Sequence, residues 1–146
     1  MVATIKIIPL AVPGDLVRQA AFVMAGAKAV EGKAFSPRRV ALVATELPTL
    51  KPSVMDKTRR LLEQRLRPSG SRLTGEARVP HRAAPLADAL RRAAGEGNGL
   101  VIVFGASAVA DPEDVIPAAI RAAGGIVDHV GMPVDPGNLL VLGRIG

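Results

Sequence analysis

Two short, uninterrupted apolar runs stand out in the pattern of hydrophobic and polar residues along the chain. Residues 39–45 read RVALVAT and residues 99–105 read GLVIVFG, and polar or glycine residues bound each run. Runs of this length, enriched in valine, are typical of strands that are buried on both faces of a sheet. The pattern therefore predicts two central strands.

Segments with helical spacing alternate with the apolar runs. Helices are predicted over residues 52–66, 83–94 and 115–123, and further strands over residues 72–79, 126–130 and 139–142. The alternation predicts an α/β fold with three αβα layers and a mainly parallel sheet. A strand at Val2 to Ile8 and a helix at Asp15 to Val30 precede this core, and we expect them to add to an edge of the sheet.

The amino-acid composition limits the class of protein to which the chain can belong. The chain has 146 residues, of which 49% are hydrophobic and 22% charged, so one folded domain spanning residues 1–146 is expected. Cysteine is absent, which excludes disulfides, thiolate metal sites and cysteine nucleophiles, and fits a cytoplasmic location. The sequence shows neither a signal peptide nor a clean apolar stretch of the roughly 20 residues that a membrane helix needs.

The formal net charge of +6 raises the possibility of a nucleic-acid partner. Aromatic residues make up only 2% of the chain, with no Trp and no Tyr, so the sequence offers no stacking platform for unpaired bases. An RNA-binding domain is therefore the weaker alternative. A small anionic ligand would be attracted equally well by this positive field.

Three loops are expected beyond the carboxyl ends of the predicted strands, where open parallel sheets bind their ligands. They are Glu46 to Ser53, Gly105 to Asp114 and Met132 to Asn138. The second loop begins with Gly105, Ala106 and Ser107, which are small enough to let a ligand approach the backbone. Helix N-termini that follow such loops favour anions.

Asp114 is predicted to be the N-cap of the helix after the second loop, because Pro117 then falls in the first turn, where its missing N–H costs nothing. Asp111, Glu113 and Asp114 also place three acids in four residues. A role in binding a ligand or Mg²⁺ is the alternative, and it is compatible with capping.

The first loop leads into a helix with a cation on either side of an acid. Lys51 or Lys57 could bind a phosphate, and Asp56 could accept paired hydrogen bonds from an aminopyrimidinone edge. A solvated first helical turn is the alternative interpretation. Pro136, Gly137 and Asn138 form either part of the binding site or a simple turn before the last strand.

At these loops the chain resembles the molybdopterin-binding domain of molybdopterin adenylyltransferases and molybdenumtransferases. FGAS at Phe104 to Ser107 and PEDVIPAA at Pro112 to Ala119 occupy the places of the family's Gly-Gly-Thr/Ser-Gly loop and Pro-x-Asp-Val-Thr-Pro helix start. Ser53 to Lys57 and Pro136 to Asn138 resemble two further family segments. The likeness covers about residues 40–143 and is closest to a variant group whose members also carry a molybdenum cofactor nucleotidyltransferase-like domain.

The resemblance implies binding of molybdopterin or a related phosphorylated pterin in molybdenum cofactor biosynthesis. The binding residues would be Gly105, Ala106, Ser107, Asp56, Lys57, Asp114, Pro136, Gly137 and Asn138. If the chain is an enzyme, Asp114 and Asp111 would be its catalytic residues, with Mg²⁺ as a possible further cofactor. His81 stands where the adenylyltransferases carry a metal-binding acid, so a cofactor-binding domain is expected rather than a complete transferase. Judged from its neighbours in sequence alone, His81 is expected to have a surface or structural role.

The expected partners follow from the same resemblance. They are molybdopterin, a molybdenum cofactor nucleotidyltransferase domain or protein, and further copies of this chain in a homo-oligomer, with no nucleic acid and no membrane. The chain is expected to be an excised piece of a longer protein. An active Mg²⁺-dependent nucleotidyl- or molybdenumtransferase, or a generic nucleotide-phosphate-binding domain, are the alternative functions.

Overall fold

The computed structural model describes residues 11–27, 31–132 and 134–146, which fall into two compact units, Met1–Ala34 and Phe35–Gly146. In the first unit, helix α1 (Gly14–Gly26) is exposed along its whole length. Its start agrees with the prediction, but it ends at Gly26, and residues 28–30 lie outside the described residues. The predicted strand Val2 to Ile8 also lies outside them.

The second unit carries the α/β fold. Its elements in chain order are β1 (Arg39–Glu46), α2 (Pro52–Leu66), β2 (Arg72–Pro80), α3 (Ala83–Gly95), β3 (Leu100–Phe104), α4 (Val115–Ala122), β4 (Ile126–Val130) and β5 (Val141–Arg144). The three-layer α/β prediction is confirmed, with strands and helices in the predicted order through β4.

Strands β1, β2 and β3 form a parallel sheet in the order β2-β1-β3, so β1 is central. The prediction that the second apolar run is buried on both faces is wrong, because β3 lies at an edge of this described sheet and is only half-buried. Residues 40–45 are buried, as predicted for a strand covered on both faces. Ala41 and Val43 pack with buried residues of α3 and α4, such as Leu86 and Ala119. Alternate residues of a strand point to opposite faces, so Val40, Leu42 and Ala44 are buried on the other face.

The last two strands differ from the prediction. β4 and β5 pair with each other as an antiparallel two-stranded sheet, and β5 begins at Val141 rather than Leu139. The chain reverses direction between them, which allows only antiparallel pairing of adjacent strands. Gly131 starts this reversal with a positive φ of 69°, and its N–H donates to the Leu140 carbonyl at 2.7 Å. A mainly parallel sheet thus describes β1, β2 and β3 only.

Within the described ranges, no helix combines the length and the apolar composition required to span a bilayer.

Candidate functional site

A chain of side-chain hydrogen bonds joins the carboxyl ends of the three parallel strands. Thr45 lies at the end of β1, His81 directly follows β2, and Ser107 lies in the loop after β3. The His81 ring is 2.8 Å from the Thr45 hydroxyl through Nδ1 and 2.8 Å from the Ser107 hydroxyl through Nε2. We call this arrangement the Thr45–His81–Ser107 chain. It brings together, at one edge, residues from all three strands of the parallel sheet.

The sheet register places these residues. In the parallel pairing of β1 with β2, Glu46 is opposite Pro80, and the His81 N–H donates to the Glu46 carbonyl at 2.9 Å. This hydrogen bond fixes the backbone position from which the His81 side chain extends. Thr45 is only 1% exposed. Its hydroxyl oxygen accepts a hydrogen bond from the Ala106 N–H at 2.8 Å, which fixes the start of the loop after β3.

Gly105 allows this loop to turn sharply as it leaves β3. A Cβ atom at this position would lie 2.8 Å from Cδ1 of Ile116 and 2.9 Å from the Ser107 carbonyl oxygen. Both distances are shorter than real Cβ contacts, so a side chain here would displace the loop or the start of α4. Packing therefore requires glycine at position 105, and Ser107, two residues further on, is exposed.

The acids of the loop stabilise the loop itself. Asp114 occupies the predicted N-cap position, but its carboxylate makes no hydrogen bond to the helix. Instead, Oδ2 accepts hydrogen bonds from the N–H groups of Ala110 at 2.8 Å and Asp111 at 3.0 Å. Asp111 Oδ1 in turn accepts from the Glu113 N–H at 2.7 Å. The prediction is right about where the helix starts and wrong about which amides Asp114 caps.

Glu113 turns away from the other two acids and pairs with Arg121 of α4 at 2.9 Å. The same guanidinium donates to the Pro112 carbonyl at 2.7 Å. Among the residues that the structure describes, no group of three or more His, Asp or Glu side chains is arranged to hold a metal ion. Asp111 and Asp114, the two acids considered for catalysis, are thus neighbours within a structured loop.

Asp56 lies in the first half of α2, and its carboxylate is already paired. Arg78 of β2 donates to Asp56 Oδ1 at 2.6 Å and to Glu76 at 2.7 Å. The hydrogen bond from Arg78 lowers the pKa of Asp56, and the bonds to Glu76 and Asp56 raise the pKa of Arg78. Lys57, next in sequence, is exposed, as is Lys51 just before the helix.

Pro136, Gly137 and Asn138 lie in the reversal between β4 and β5. The Gly137 carbonyl accepts hydrogen bonds from the N–H groups of Met132 and Leu140, both at 3.0 Å, so this segment is a turn. No hydrogen bond joins it to the Thr45–His81–Ser107 chain within the described part of the molecule. Residue 133, the second residue of the predicted loop, lies outside the described residues.

An apolar groove of about 920 Å³ lies beside this edge. It is lined by β3, by residues 105–109 and by residues 139–145, which include β5. Ala106 and Ser107 are among its lining residues, so the Ser107 end of the hydrogen-bonded chain reaches the groove. Leu139 and Leu140, next to the predicted Pro136 to Asn138 segment, also line it.

The groove and the roles of Thr45 and His81 were missed from the sequence. A surface or structural role was expected for His81, and Thr45 was assigned only to a buried strand. The available signal was the position of His81 directly after the second strand. Carboxyl ends of neighbouring parallel strands meet at one edge, which places His81 near the loop containing Ser107.

Comparisons of the chain with protein-family models, with curated proteins and with solved structures find no match. The resemblance to the molybdopterin-binding domain therefore rests on the residues quoted above.

Proposed function

We propose that the second unit binds molybdopterin or a related phosphorylated pterin, and that it acts in molybdenum cofactor biosynthesis as a binding domain. The observation that supports this is the junction of the strand ends through Thr45, His81 and Ser107. It presents His81, which follows β2, and Ser107, in the loop after β3, at the edge where α/β sheets bind ligands, and buried Thr45 of β1 holds His81 in place.

The polar groups at this edge suit a phosphate. Ser107 is exposed and offers a hydroxyl, His81 is half-buried beside it, and Gly105 keeps the loop backbone close and free of side-chain bulk. Hydroxyl groups donate hydrogen bonds to phosphate oxygens. In this proposal the Ser107 hydroxyl turns its proton from His81 Nε2 to a phosphate oxygen, and the pterin extends from there along the edge.

The pterin ring is assigned to Asp56. Its side chain is 52% exposed, and the hydrogen bond from Arg78 reaches only Oδ1. A carboxylate with a lowered pKa remains ionised and is a good acceptor for the N–H groups of an aminopyrimidinone. Lys57 lies beside it and adds positive charge. Each carboxylate oxygen has two lone pairs, so both oxygens could accept from the pterin while Oδ1 keeps its bond from Arg78.

The acids in the loop after β3 serve the proposed site indirectly. Asp114 and Asp111 use their carboxylates to hold amides of the loop that carries Ser107, and we propose that this is their part in the site. This favours a binding domain over a complete transferase. The turn at Pro136 to Asn138 remains a proposed second wall of the site, since its neighbours line the groove that Ser107 reaches.

The test is a titration of the purified chain with molybdopterin. The bound pterin is then oxidised and its amount is measured by fluorescence. Ser107→Ala should weaken binding about 10- to 100-fold, because a hydrogen bond to a charged group contributes about 1.5–3 kcal/mol. Asp56→Asn should weaken binding of molybdopterin but leave binding of inorganic phosphate unchanged. The control is Ser36→Ala, which changes an exposed serine outside the helices and strands.

Two results would contradict the proposal. Equal affinity of the parent, Ser107→Ala and Asp56→Asn proteins would show that the pterin binds elsewhere. Absence of any molybdopterin binding, together with tight RNA binding that weakens steeply with salt, would favour the nucleic-acid alternative.

A further inference from the structure

We propose that Ser107 is a nucleophile, that His81 accepts its proton, and that this pair transfers the acyl group of an apolar carboxylic ester to water. The Thr45–His81–Ser107 chain and the groove beside it carry this inference. It does not depend on pterin binding.

The spacing is that of an activated nucleophile. Ser107 Oγ and His81 Nε2 are 2.8 Å apart, within the range in which a base takes a proton directly. The opposite ring nitrogen, Nδ1, is 2.8 Å from Thr45 Oγ1, so the ring is held from behind. A nucleophile, a base and a third group that orients the base form the arrangement that recurs in unrelated covalent enzymes.

The hydrogen bonds around Thr45 allow the tautomer that a base needs. Thr45 Oγ1 accepts from the Ala106 N–H, and the Phe104 carbonyl at 3.4 Å is an acceptor for its one proton. When Thr45 donates to that carbonyl, the contact with His81 is donated by Nδ1–H, and this is the arrangement that the proposal uses. Nε2 is left with a lone pair that faces the Ser107 hydroxyl. Thr45 is thus a positioning residue for His81.

Exposure and shape indicate the substrate class. Ser107 is exposed, whereas Thr45 is buried and His81 half-buried, so the nucleophile is the member that an incoming molecule meets. The groove that Ser107 lines has mainly apolar walls, including Val103 and Leu140. An aliphatic acyl chain fits such walls, with its carbonyl at the Ser107 end. A carboxylic ester of medium chain length is therefore the expected substrate.

The reaction uses only these groups and water. Ser107 Oγ forms a bond to the ester carbonyl carbon while its proton passes to His81 Nε2. The tetrahedral intermediate breaks the bond to the alcohol oxygen, which leaves with the proton from Nε2. Water then attacks the acyl-serine, His81 takes the proton of that water and returns it to Ser107 Oγ. The products are an alcohol and a carboxylic acid, and nothing is oxidised or reduced.

Thr45 is uncharged, so it orients the ring without stabilising an imidazolium as a buried carboxylate would. Turnover is therefore expected to be slow, and covalent labelling of Ser107 is the more sensitive measurement. The first experiment treats the purified chain with a fluorophosphonate and measures the intact mass over time. One adduct per chain, located at Ser107 by peptide mapping, is expected.

Variants separate an activated serine from an ordinary one. Ser107→Ala should abolish the adduct, and His81→Gln should slow labelling about 100-fold or more, the usual contribution of a positioned general base. Ser36→Ala should label at the parent rate, because that serine lies outside the chain of hydrogen bonds. Labelling of Ser107 at an unchanged rate in His81→Gln would overturn the proposal, provided that the variant melts as cooperatively as the parent.

Two further measurements test the geometry and the substrate. Nitrogen chemical shifts of the His81 ring should show the proton on Nδ1; a proton on Nε2 would mean that His81 donates to Ser107 and cannot act as its base. Thr45→Ser should retain the tautomer and the labelling rate, whereas Thr45→Val should lose both. p-Nitrophenyl octanoate should be cleaved faster than the acetate, and Leu140→Arg should remove this preference. Equal rates for both esters in the parent would refute the assignment of the groove.

Discussion

Replacing Thr45 by valine tests whether one buried hydroxyl holds the three strand ends together. Valine has nearly the shape of threonine but lacks Oγ1, so the change removes the hydrogen-bonding atom and leaves the packing. Thr45 is 1% exposed, and its oxygen contacts the Ala106 N–H, the His81 ring and the Phe104 carbonyl. All three groups would lose this partner at once.

The expected loss of stability follows from these contacts. A donor or acceptor left unsatisfied in the interior costs about 1–3 kcal/mol. Ala106 and His81 are half-buried, so water replaces part of what is lost, and the Phe104 contact is long at 3.4 Å. We therefore expect Thr45→Val to lower the free energy of unfolding by about 2–3 kcal/mol. Thr45→Ser removes only a methyl group and should cost about 1 kcal/mol.

Urea unfolding monitored by circular dichroism measures both values, and amide hydrogen exchange gives a local readout at Ala106. The Ala106 amide should exchange faster in Thr45→Val and stay protected in Thr45→Ser. If Thr45→Val is as stable as Thr45→Ser and the Ala106 amide exchanges at the parent rate, the hydrogen bonds of Thr45 do not join the strand ends.

Three further predictions concern the surroundings of the site. Asp56→Asn should reduce the loss of stability in acid, because the lowered pKa of Asp56 means that its pairing with Arg78 stabilises the fold at higher pH. This stabilisation is lost as pH falls from about 3.9 through the lower folded value. Urea midpoints between pH 2 and 6 measure this, and in an Arg78→Gln background, which also lacks the bond to Glu76, Asp56→Asn should have no further effect. Gly105→Ala should cost about 1–3 kcal/mol in thermal unfolding, since the new Cβ meets Ile116 and the loop backbone. Asp114→Ala should speed amide exchange at the two loop N–H groups that its carboxylate binds.

Each of these has a result that would contradict it. If the stability of Asp56→Asn falls in acid as steeply as that of the parent, the pair with Arg78 does not form in solution. A Gly105→Ala protein as stable as the parent would mean that the loop leaves β3 less tightly. Unchanged exchange in Asp114→Ala would mean that the loop is held by other contacts, such as that between Glu113 and Arg121.

The central strand β1 could be predicted because it is buried on both faces, whereas β3, predicted from a similar apolar run, is only half-buried and lies at an edge of the described parallel sheet. Burial on both faces leaves a continuous apolar run, which cannot be mistaken for a surface segment. The last strand was placed two residues early because Leu139 and Leu140 continue the apolar pattern, although they are 49% and 41% exposed. Pairing with β4 decides where β5 begins, and that register is a tertiary property absent from the local pattern.

The site was predicted less well than the fold, for a related reason. The sequence identifies which loops follow strands, and the helix start at Asp114 is found. Contacts between side chains of different elements are not visible in local spacing. Arg78 pairs with Asp56 from the neighbouring strand, and Thr45 reaches His81 across 36 positions of sequence. These partners decide which polar groups remain available to bind a ligand.

His81 illustrates how such partners change the chemistry of a position. Both of its ring nitrogens are engaged, one by Thr45 and one by Ser107. To coordinate a cation, the ring would have to release one of these hydroxyls and donate a lone pair that a hard ion such as Mg²⁺ accepts poorly. The same ring needs no rearrangement to exchange a proton with Ser107. A histidine at the end of β2 therefore suits this edge for hydrogen bonding and proton transfer, where an acid at the same position would suit it for holding a metal.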